Sequence, residues 1–384
     1  MEELGLDRVV LQPVTVPRWI RGNVEKAEIL GSKFHKGKRL HVASLGGSMG
    51  TPSSGLTAEV LEVQSFEELR HLKEEANGKI IFFNRPMDPA LVETFTAYGR
   101  AVDQRVSGAS EAAKVGGVGA IVRSTTTKYD NIPHVGTLVY QDSVKRIPAM
   151  AIGLRDADFL SDALKKEPLL KVKLTLSCKT LPDTQSYNVM GEITGSERPE
   201  EVIVVGGHFD SWDKGDGSHD DGAGCIQSLE ILHLFKRLGI RPKCTVRAVF
   251  FINEEYGLSG AKVYGEYSAA TREKHIAAVE ADRGAFTPRG FYVDAEQSVL
   301  TKIQSWLPYL NKALIEWVKR GGSGADIGQI RNTKALIGFV PDVQRYFDFH
   351  HSSNDVFTAV HPREFELGAA AMAILVYLMS EEGL

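Results

Sequence analysis

The most informative stretch of the sequence is Val204-Val-Gly-Gly-His-Phe-Asp-Ser-Trp-Asp-Lys-Gly-Asp-Gly-Ser-His-Asp-Asp-Gly-Ala-Gly-Cys225. The apolar run 202–205 predicts a buried strand that ends at two glycines, and His208 and Asp210 follow it directly. A glycine-rich loop then leads to Asp220 at the start of a predicted helix. In open α/β sheets, sites form outside the carboxyl ends of the strands. We therefore expect a site here, and zinc is the first interpretation because imidazole and carboxylate groups bind it well.

The chain around this stretch alternates between strand and helix patterns. Such alternation is typical of the α/β class with a mixed, mostly parallel, doubly wound sheet. The predicted strands cover 187–193, 201–205, 245–252, 276–279 and 335–340, and the predicted helices cover 222–238, 298–320 and 363–379.

The middle of the chain has a different texture. Between residues 39 and 177, short predicted strands alternate with turns rich in Gly, Ser and Pro. This segment has no cluster of His and acidic residues suited to chemistry. We expect an inserted β-rich domain at 39–177, and a discontinuous domain made of 1–38 and 178–384 around it.

Composition narrows the function classes. A length of 384 residues predicts two or three domains, and 43% hydrophobic residues suffice for packed cores. A net charge of −4 argues neither for nucleic acid nor for an anionic membrane surface as a partner. The longest apolar run, Leu367–Met379, has 13 residues, which is too short for a membrane span. The acidic start of the chain has no apolar core of signal-peptide length, so the chain as given is expected to lack a signal peptide.

Three cysteines are scattered along the chain, at Cys178, Cys225 and Cys244. Their spacing is neither that of a disulfide framework nor that of a Cys-x-x-Cys metal site. Buried thiols are the favoured interpretation, and one disulfide remains open as an alternative.

Further imidazole and carboxylate groups follow other predicted strands. Glu255 follows the strand at 245–252, Asp282 follows the strand at 276–279, and His351 lies beyond the last strand. Because the carboxyl ends of parallel strands meet at one edge, these groups form a nitrogen and oxygen set suited to zinc. We expect two ions bridged by Asp220, with His208 and Asp282 on one ion and Glu255 and His351 on the other.

Two further acidic residues fit supporting roles in this site. Asp210 could accept the second ring N–H of His208 through its carboxylate and so fix the tautomer. Glu254 is a spare carboxylate beside the predicted ligand Glu255, and it could act as general base toward a metal-bridging hydroxide. An adjacent Glu pair after a strand is usually just solvated, but the combination with the other strand-end groups favours the catalytic role.

Five motifs resemble those of the co-catalytic two-zinc exopeptidases. They are Gly207-His-Phe-Asp-Ser-Trp, Asp220-Asp-Gly-Ala-Gly, Asn253-Glu-Glu-Tyr-Gly, Glu280-Ala-Asp and His351-Ser-Ser-Asn-Asp. The resemblance covers nearly the whole chain and implies the zinc exopeptidase fold, with a protease-associated-type domain as the insert. It assigns ligand roles to His208, Asp220, Glu255, Asp282 and His351 and the role of base to Glu254.

The same resemblance carries several functional expectations. It implies hydrolysis of dipeptides or short peptides with two Zn²⁺ per chain. It also implies homodimerisation, a secreted or lysosomal location, and a cis peptide bond between Asp220 and Asp221. Three alternatives remain: an aminopeptidase on longer peptides, a catalytically silent binding protein on the same fold, and a glutaminyl-cyclase-like acyltransferase.

Several other residues near these motifs have open roles. His350 could contact the reaction oxyanion or could simply pack. Asp326, in the glycine-rich segment 321–328, could touch substrate or belong to a plain turn. His219 and Asp216 could be extra ligands, although solvated loop residues are the favoured interpretation. Segment 46–50 matches Gly-x-Ser-x-Gly, but the residues after it cannot readily form the required helix, so a turn is expected there.

Overall fold

The computed structural model describes residues 1–384. It contains sixteen strands and ten α-helices, joined by turns and short 3-10 segments. The strands are β1 (Arg8–Ile20), β2 (Glu25–Ile29), β3 (Arg39–Leu40), β4 (Val42–Ser44), β5 (Leu56–Val63), β6 (Ile80–Phe83), β7 (Gly119–Arg123), β8 (Ala149–Ile152), β9 (Lys171–Leu176), β10 (Lys179–Ile193), β11 (Arg198–His208), β12 (Cys244–Phe251), β13 (Lys274–Glu280), β14 (Pro288–Ala295), β15 (Trp317–Arg320) and β16 (Ala335–Pro341). The helices are α1 (Phe66–His71), α2 (Lys73–Ala76), α3 (Thr94–Gly99), α4 (Asp103–Lys114), α5 (Leu154–Lys166), α6 (Ala223–Leu238), α7 (Ser259–Ala270), α8 (Gln297–Ser305), α9 (Leu307–Leu310) and α10 (Pro362–Glu382).

The chain forms two compact units. The first unit consists of Met1–Val16, Thr184–Tyr346 and Asp355–Leu384, and the second unit consists of Pro17–Asp183 and Phe347–Asn354. Segments 17–38, 178–183 and 347–354 thus group with the second unit, whereas the sequence prediction grouped them with the surrounding domain. That these units are a peptidase domain and a protease-associated-type insert stays a prediction.

The first unit is built on an eight-stranded sheet in the order β1-β10-β12-β11-β13-β16-β14-β15. Its central strands β12, β11, β13 and β16 run parallel, while β10 pairs antiparallel with β12 and β14 pairs antiparallel with β16. The predicted class, a mixed and mostly parallel α/β sheet, is confirmed.

Strand β11 is buried on both faces, as its continuous apolar run predicts. Ile203 and Val205 belong to a core with α6 and α10, while Val202 and Val204 belong to a core with α7. Because consecutive side chains of a strand point to opposite faces, four apolar residues in a row serve both layers.

Helix α6 confirms the helix predicted at 222–238. It ends at Gly239, whose φ of +66° suits glycine at a helix C-terminus. Its buried side includes Ile231, Leu232 and Phe235. Ile226 and Leu238 of the same helix are 49% and 69% exposed.

One predicted helix is partly wrong. Residues 298–320 were expected to be mostly helical, but α8 and α9 end at Leu310 and residues 317–320 form β15. This strand pairs parallel with β14, which the sequence pattern did not predict. Pairing with a neighbouring strand overrides a weak local helix preference.

The second unit is also built on an eight-stranded sheet, in the order β3-β2-β9-β5-β6-β7-β8-β4. Strands β5 to β8 run parallel, and β2, β4 and β9 pair antiparallel with their neighbours. Ser65 is the N-cap of α1, and its hydroxyl accepts the Glu68 N–H at 3.0 Å. Segment 51–55, after the Gly-x-Ser-x-Gly match, is not helical, as expected.

Two expectations about the whole chain can be compared with the structure. Cys178, Cys225 and Cys244 are buried and free, so the prediction of buried thiols is confirmed. No helix of the chain is both long enough and apolar enough to span a membrane.

Candidate metal centre

The carboxyl ends of three neighbouring strands meet at one edge of the first unit's sheet. In the register of the parallel pairs, His208 at the end of β11 lies opposite Phe251 of β12, and Gly206 lies opposite Glu280 of β13. The segments that follow β12 and β13 therefore leave the sheet beside His208. They carry the predicted site residues Glu254, Glu255 and Asp282.

The His208 ring is buried and faces two carboxylates. Its Nε2 atom lies 3.3 Å from Oδ1 of Asp220 and 3.6 Å from Oδ1 of Asp282. Its Nδ1 atom lies 2.8 Å from the main-chain oxygen of Asp210. Since a carbonyl oxygen can only accept, Nδ1 carries the proton, and the lone pair of a neutral ring sits on Nε2, among the carboxylates.

The structure gives Asp210 a different contact from the predicted one. Its carboxylate was expected to accept the ring N–H, but Oδ1 is 3.9 Å from Nδ1 and the main-chain oxygen takes that proton. The carboxylate instead accepts the backbone N–H groups of Glu254 at 3.0 Å and Glu255 at 3.3 Å. Asp210 therefore holds the turn that presents both glutamates.

The loop that carries Asp220 is held by two carboxylates that had no assigned role in the sequence analysis. Asp355 accepts the N–H groups of His219 at 2.7 Å and Asp220 at 3.1 Å. Asp221 accepts the N–H groups of Gly224 at 3.0 Å and His208 at 3.2 Å. In the sequence, only position pointed to a role for these two residues. Asp221 adjoins Asp220, and Asp355 is the last residue of the motif His351-Ser-Ser-Asn-Asp. The expected cis peptide bond between Asp220 and Asp221 is present.

Asp221 competes with Asp220 for a place in the ligand set. His208, Asp221 and Asp282 each have one possible ligand atom within 4.8 Å of the others. Both oxygens of Asp221 already accept backbone N–H groups, however. Asp220 directs an oxygen at Nε2 of His208, so Asp220 fits the ligand role better.

Burial and like charge set the protonation of these carboxyl groups. Burial, reinforced by the negative charges of Asp282 and Asp220, raises the pKa of Glu254 to about 8, although His208 opposes the shift. Burial and the charge of Asp220 also raise the pKa of Glu255 well above its usual range. Burial is also the main cause that raises the pKa of Asp282. His208 opposes these upward shifts of the carboxyl pKa values without reversing them.

The cluster fits a divalent metal ion. A neutral imidazole nitrogen and several carboxylate oxygens form a donor set that zinc accepts. Oδ1 of Asp282 is buried and has no hydrogen bond within the protein. A cation would relieve the repulsion that raises the carboxyl pKa values, because an opposite charge within a few ångströms favours the ionised form.

His350 and His351 lie in the second unit, where they form part of an aromatic cluster. Their rings stack on each other with centroids 3.5 Å apart, and His350 contacts the edges of Tyr98 and Phe347. Nδ1 of His351 lies 3.2 Å from the main-chain oxygen of Val135. The ligand role of His351 and the oxyanion role of His350 stay predictions.

Asp326 is fully buried within the first unit. Neither of its carboxyl oxygens has a hydrogen bond, and burial and the charge of Glu280 raise its pKa well above its usual range. Glu280 in turn accepts the N–H groups of Ala325 at 2.9 Å and Ile327 at 2.8 Å. Glu280, at the end of β13, therefore holds the glycine-rich segment 321–328 through two hydrogen bonds. The motif Glu280-Ala-Asp did not indicate this role.

His219 differs from its favoured interpretation, whereas Asp216 agrees with it. Instead of being solvated, the His219 ring is buried and stacks on Phe286 with centroids 4.5 Å apart. Its Nδ1 atom lies 3.2 Å from the N–H of Ala285. Asp216 is exposed. The sequence did not predict the stacking of His219 on Phe286, because Phe286 lies 67 residues further along the chain.

The fold and this site together define a metallopeptidase of the exopeptidase class, and comparisons with known proteins agree. Residues 188–375 match the model of Peptidase family M28. Carboxypeptidase Q of Mus musculus is 39% identical, over 99% of this chain and 79% of that protein. The human Carboxypeptidase Q is 37% identical, over 99% of this chain and 78% of that protein. The chain belongs to peptidase family M28.

Solved structures lead to the same family. The Peptidase M28 precursor from Shewanella amazonensis SB2B superposes with a TM-score of 0.93 at 32% identity, over 99% of this chain and 85% of that chain. A zinc aminopeptidase from Bacillus subtilis superposes with a TM-score of 0.68 at 18% identity, over 100% of this chain and 87% of that chain, and shares the fold.

The sequence also resembles carboxypeptidase Q outside the five motifs, in Ile193-Thr-Gly-Ser and Tyr346-Phe-Asp-Phe-His-His-Ser. That interpretation is confirmed, as is the predicted enzyme class of metallo-exopeptidase.

Proposed function

We propose that the chain is a zinc-dependent exopeptidase that hydrolyses dipeptides or short peptides, with Glu254 as general base. The observation that carries the proposal is the buried cluster in which Nε2 of His208 faces Asp220 and Asp282 at 3.3 and 3.6 Å. This cluster lies at the carboxyl edge of the sheet in a chain of family M28.

Two zinc ions per chain are part of the proposal. Asp220 would bridge them, His208 and Asp282 would complete one set, and Glu255 and His351 the other. The donor types suit zinc, and the excess of buried carboxylates calls for more than one positive charge. When bound, zinc supplies Lewis-acid chemistry that activates a water and polarises the scissile carbonyl.

Glu254 would move the proton. Its carboxylate would take a proton from the attacking water and pass it to the nitrogen of the departing amine. Burial raises its pKa to about 8, and positive charge nearby would bring that pKa down toward neutrality, where a base is most effective. The two backbone hydrogen bonds to Asp210 orient the turn from which Glu254 acts.

Hydrolysis of a dipeptide panel by the zinc-loaded protein and by Glu254→Gln tests the proposal. We expect turnover that a chelator abolishes, and a loss of about 10³-fold in kcat for Glu254→Gln, since general-base catalysis contributes on that order. Zinc content, measured by mass spectrometry, should stay at two per chain in the variant. Glu266→Gln, an exposed glutamate of α7, is the matched control and should keep wild-type kcat.

The outcome separates the alternatives. A folded protein with two zinc ions and no turnover of any dipeptide would rule out the dipeptidase and favour a binding protein. A rise in kcat/KM from dipeptides to tetrapeptides with cleavage at the amino end would favour an aminopeptidase. Formation of pyroglutamate from a peptide with N-terminal Gln would identify an acyltransferase.

The proposal also includes two expectations that only the resemblance to the two-zinc exopeptidases supports. They are homodimerisation and a secreted or lysosomal location. Light scattering coupled to size exclusion would measure the mass in solution directly, and a mass near 42.1 kDa, that of one chain, would contradict the dimer.

A further inference from the structure

Two neighbouring segments of the second unit concentrate positive charge. The first segment, 30–38, joins β2 to β3, and the second segment, 165–171, leads from the end of α5 to the start of β9. The two segments contain only one acidic residue, Glu167. Their lysines are Lys33, Lys36, Lys38, Lys165, Lys166 and Lys171. Because the whole chain has a net charge of −4, this excess of positive charge is a local feature of the surface.

Hydrogen bonds hold the two segments side by side. Oε1 of Glu167 accepts the N–H of Lys33 at 2.7 Å, and Oε2 accepts the hydroxyl of Ser32. The main-chain oxygen of Lys171 accepts the N–H of Leu30 at 2.9 Å. The two segments therefore form one continuous surface, which we call the basic patch.

Most lysines of the basic patch are not paired with a carboxylate. Lys38 lies 3.7 Å from Asp156, and Lys165 lies 2.9 Å from Asp162. The second of these pairs is exposed on both sides, so it contributes little. The lysines that are exposed and form no salt bridge within the chain are Lys33, Lys36, Lys166 and Lys171. The basic patch therefore attracts negative groups from outside the chain.

Each segment of the basic patch also exposes one large apolar side chain. Phe34, which follows Lys33, is 73% exposed, and Leu169, three residues after Lys166, is 69% exposed. A single exposed apolar side chain is normal on a protein surface. Two of them on adjoining lysine-rich segments form a surface that is both positively charged and apolar.

The residues next to these two side chains are held by the body of the second unit. The Ser32 hydroxyl accepts the N–H groups of Phe34 at 3.2 Å and His35 at 2.8 Å. The His35 ring packs edge-on against Phe159, with centroids 4.9 Å apart. Leu170, which adjoins the second exposed side chain, is fully buried. Phe34 and its counterpart can therefore enter an apolar medium without rearrangement of the backbone that carries them.

This combination fits the surface of an anionic bilayer. Lysines close to such a surface are attracted by the negative lipid head groups, and apolar side chains enter the boundary between head groups and acyl chains. A polyanion would use the lysines alone. Single-stranded nucleic acid would also stack its bases on aromatic side chains, but Leu169 offers no aromatic face. The pairing of lysines with both Phe34 and Leu169 favours lipid.

We propose that the basic patch binds the surface of an anionic lipid bilayer, with Phe34 and Leu169 inserted below the head groups and the unpaired lysines close to the lipid phosphates. This function is additional to peptide hydrolysis and uses no residue of the proposed zinc set. The association is peripheral and reversible, because only two side chains enter the apolar region.

Co-sedimentation of the zinc-loaded protein with vesicles tests the inference. We expect binding to vesicles of phosphatidylcholine that contain about one third phosphatidylserine, and binding at least about 30-fold weaker to phosphatidylcholine alone. Lys33→Gln combined with Lys36→Gln should weaken binding to the anionic vesicles about 30-fold, since each lysine near the surface contributes about fivefold. Phe34→Ser should weaken it about tenfold through the lost apolar burial.

Matched controls come from the first unit. Phe357 is 80% exposed but follows Asp355 rather than lysines, and Phe357→Ser should bind vesicles like the wild type. Lys274 and Lys312 are exposed, and the double variant with both changed to Gln should also keep wild-type affinity. Hydrolysis of dipeptides without vesicles should be unchanged in Phe34→Ser, so that failure of the peptidase proposal and failure of lipid binding are seen separately.

The two kinds of variant distinguish lipid from other anions. Equal binding to both kinds of vesicle, or binding to neither, would overturn the inference. Binding to heparin or to an oligonucleotide that is lost in the lysine variant but unchanged in Phe34→Ser, with no affinity for vesicles, would identify a polyanion site instead. Loss of vesicle binding in both kinds of variant, with folding intact by circular dichroism and with unaffected controls, supports the inference.

Discussion

Two clusters of buried charged side chains lie on the sheet of the first unit, and they balance their charges differently. In one cluster, Arg247 on β12 bonds Glu192 at 2.6 Å and both oxygens of Glu273 at 2.8 Å. In the other cluster, at the carboxyl end of the neighbouring strand β11, Nε2 of His208 faces the carboxylates of Asp220 and Asp282 at 3.3 and 3.6 Å.

The pKa values follow from this difference. Burial raises the pKa of Glu273, but its hydrogen bonds to Arg247 outweigh burial and lower the pKa below its usual value. Burial and neighbouring carboxylates raise the pKa of Glu254 to about 8. Arg247 balances the carboxylates around it, whereas the pKa values of Glu254, Glu255 and Asp282 remain raised despite His208, which is the physical basis for proposing zinc.

The largest expected effect on stability comes from breaking the Arg247 cluster. Arg247→Met removes the buried guanidinium that balances the buried Glu192 and the half-buried Glu273, which should lower the free energy of unfolding by about 3–5 kcal/mol. Urea unfolding with zinc and with chelator measures it. The loss should be the same in both conditions. A loss that disappears when zinc is removed would contradict the separation of the two clusters.

Removal of zinc should have the second largest effect on the free energy of unfolding. This effect should depend on the carboxyl-edge cluster of His208, Asp220 and Asp282 and not on the Arg247 cluster. Zinc at a hundredfold excess over its Kd should raise the free energy of unfolding of stripped wild-type protein by about 2.7 kcal/mol for each site filled. Asp282→Asn should reduce this gain. In the stripped protein the same substitution should be neutral or stabilising, because it removes one of several repelling charges.

The sign change is the decisive feature of that experiment. Asp282→Asn is expected to destabilise the zinc-loaded protein and not the stripped one, while Arg247→Met destabilises both. Thermal unfolding of the four protein and metal combinations gives the comparison. If Asp282→Asn destabilises the stripped protein as much as the loaded one, the carboxylate is a structural partner of His208 rather than a ligand.

The smallest expected effect is at Asp210, which positions the turn without facing the metal through its carboxylate. Asp210→Asn keeps one acceptor oxygen for the N–H groups of Glu254 and Glu255, so kcat should fall about tenfold, equivalent to about 1.4 kcal/mol, with KM nearly unchanged. Asp294→Asn, at an exposed position of β14, is the control. Loss of zinc from Asp210→Asn would show that Asp210 acts on the metal set instead.

Much of the fold followed from local patterns. The buried run 202–205, the helix ending at Gly239 and the long closing helix each carry their signal within a few residues. By contrast, β14 was not predicted and residues 317–320 were expected to be helical. Those two strands exist because they pair with each other and with β16, and such pairing depends on residues distant in the chain.

For the site, chain order alone placed His208 and Asp282 at one edge of a parallel sheet, because every such strand ends on the same side. Side-chain identity alone indicated zinc, since imidazole with carboxylates is a typical zinc donor set. The acceptor for the His208 ring proton, the contacts of Asp210 and the burial of Asp326 came only from the folded chain. Each depends on backbone atoms brought together from separate loops, and neither spacing nor composition encodes where a carbonyl or an N–H will point.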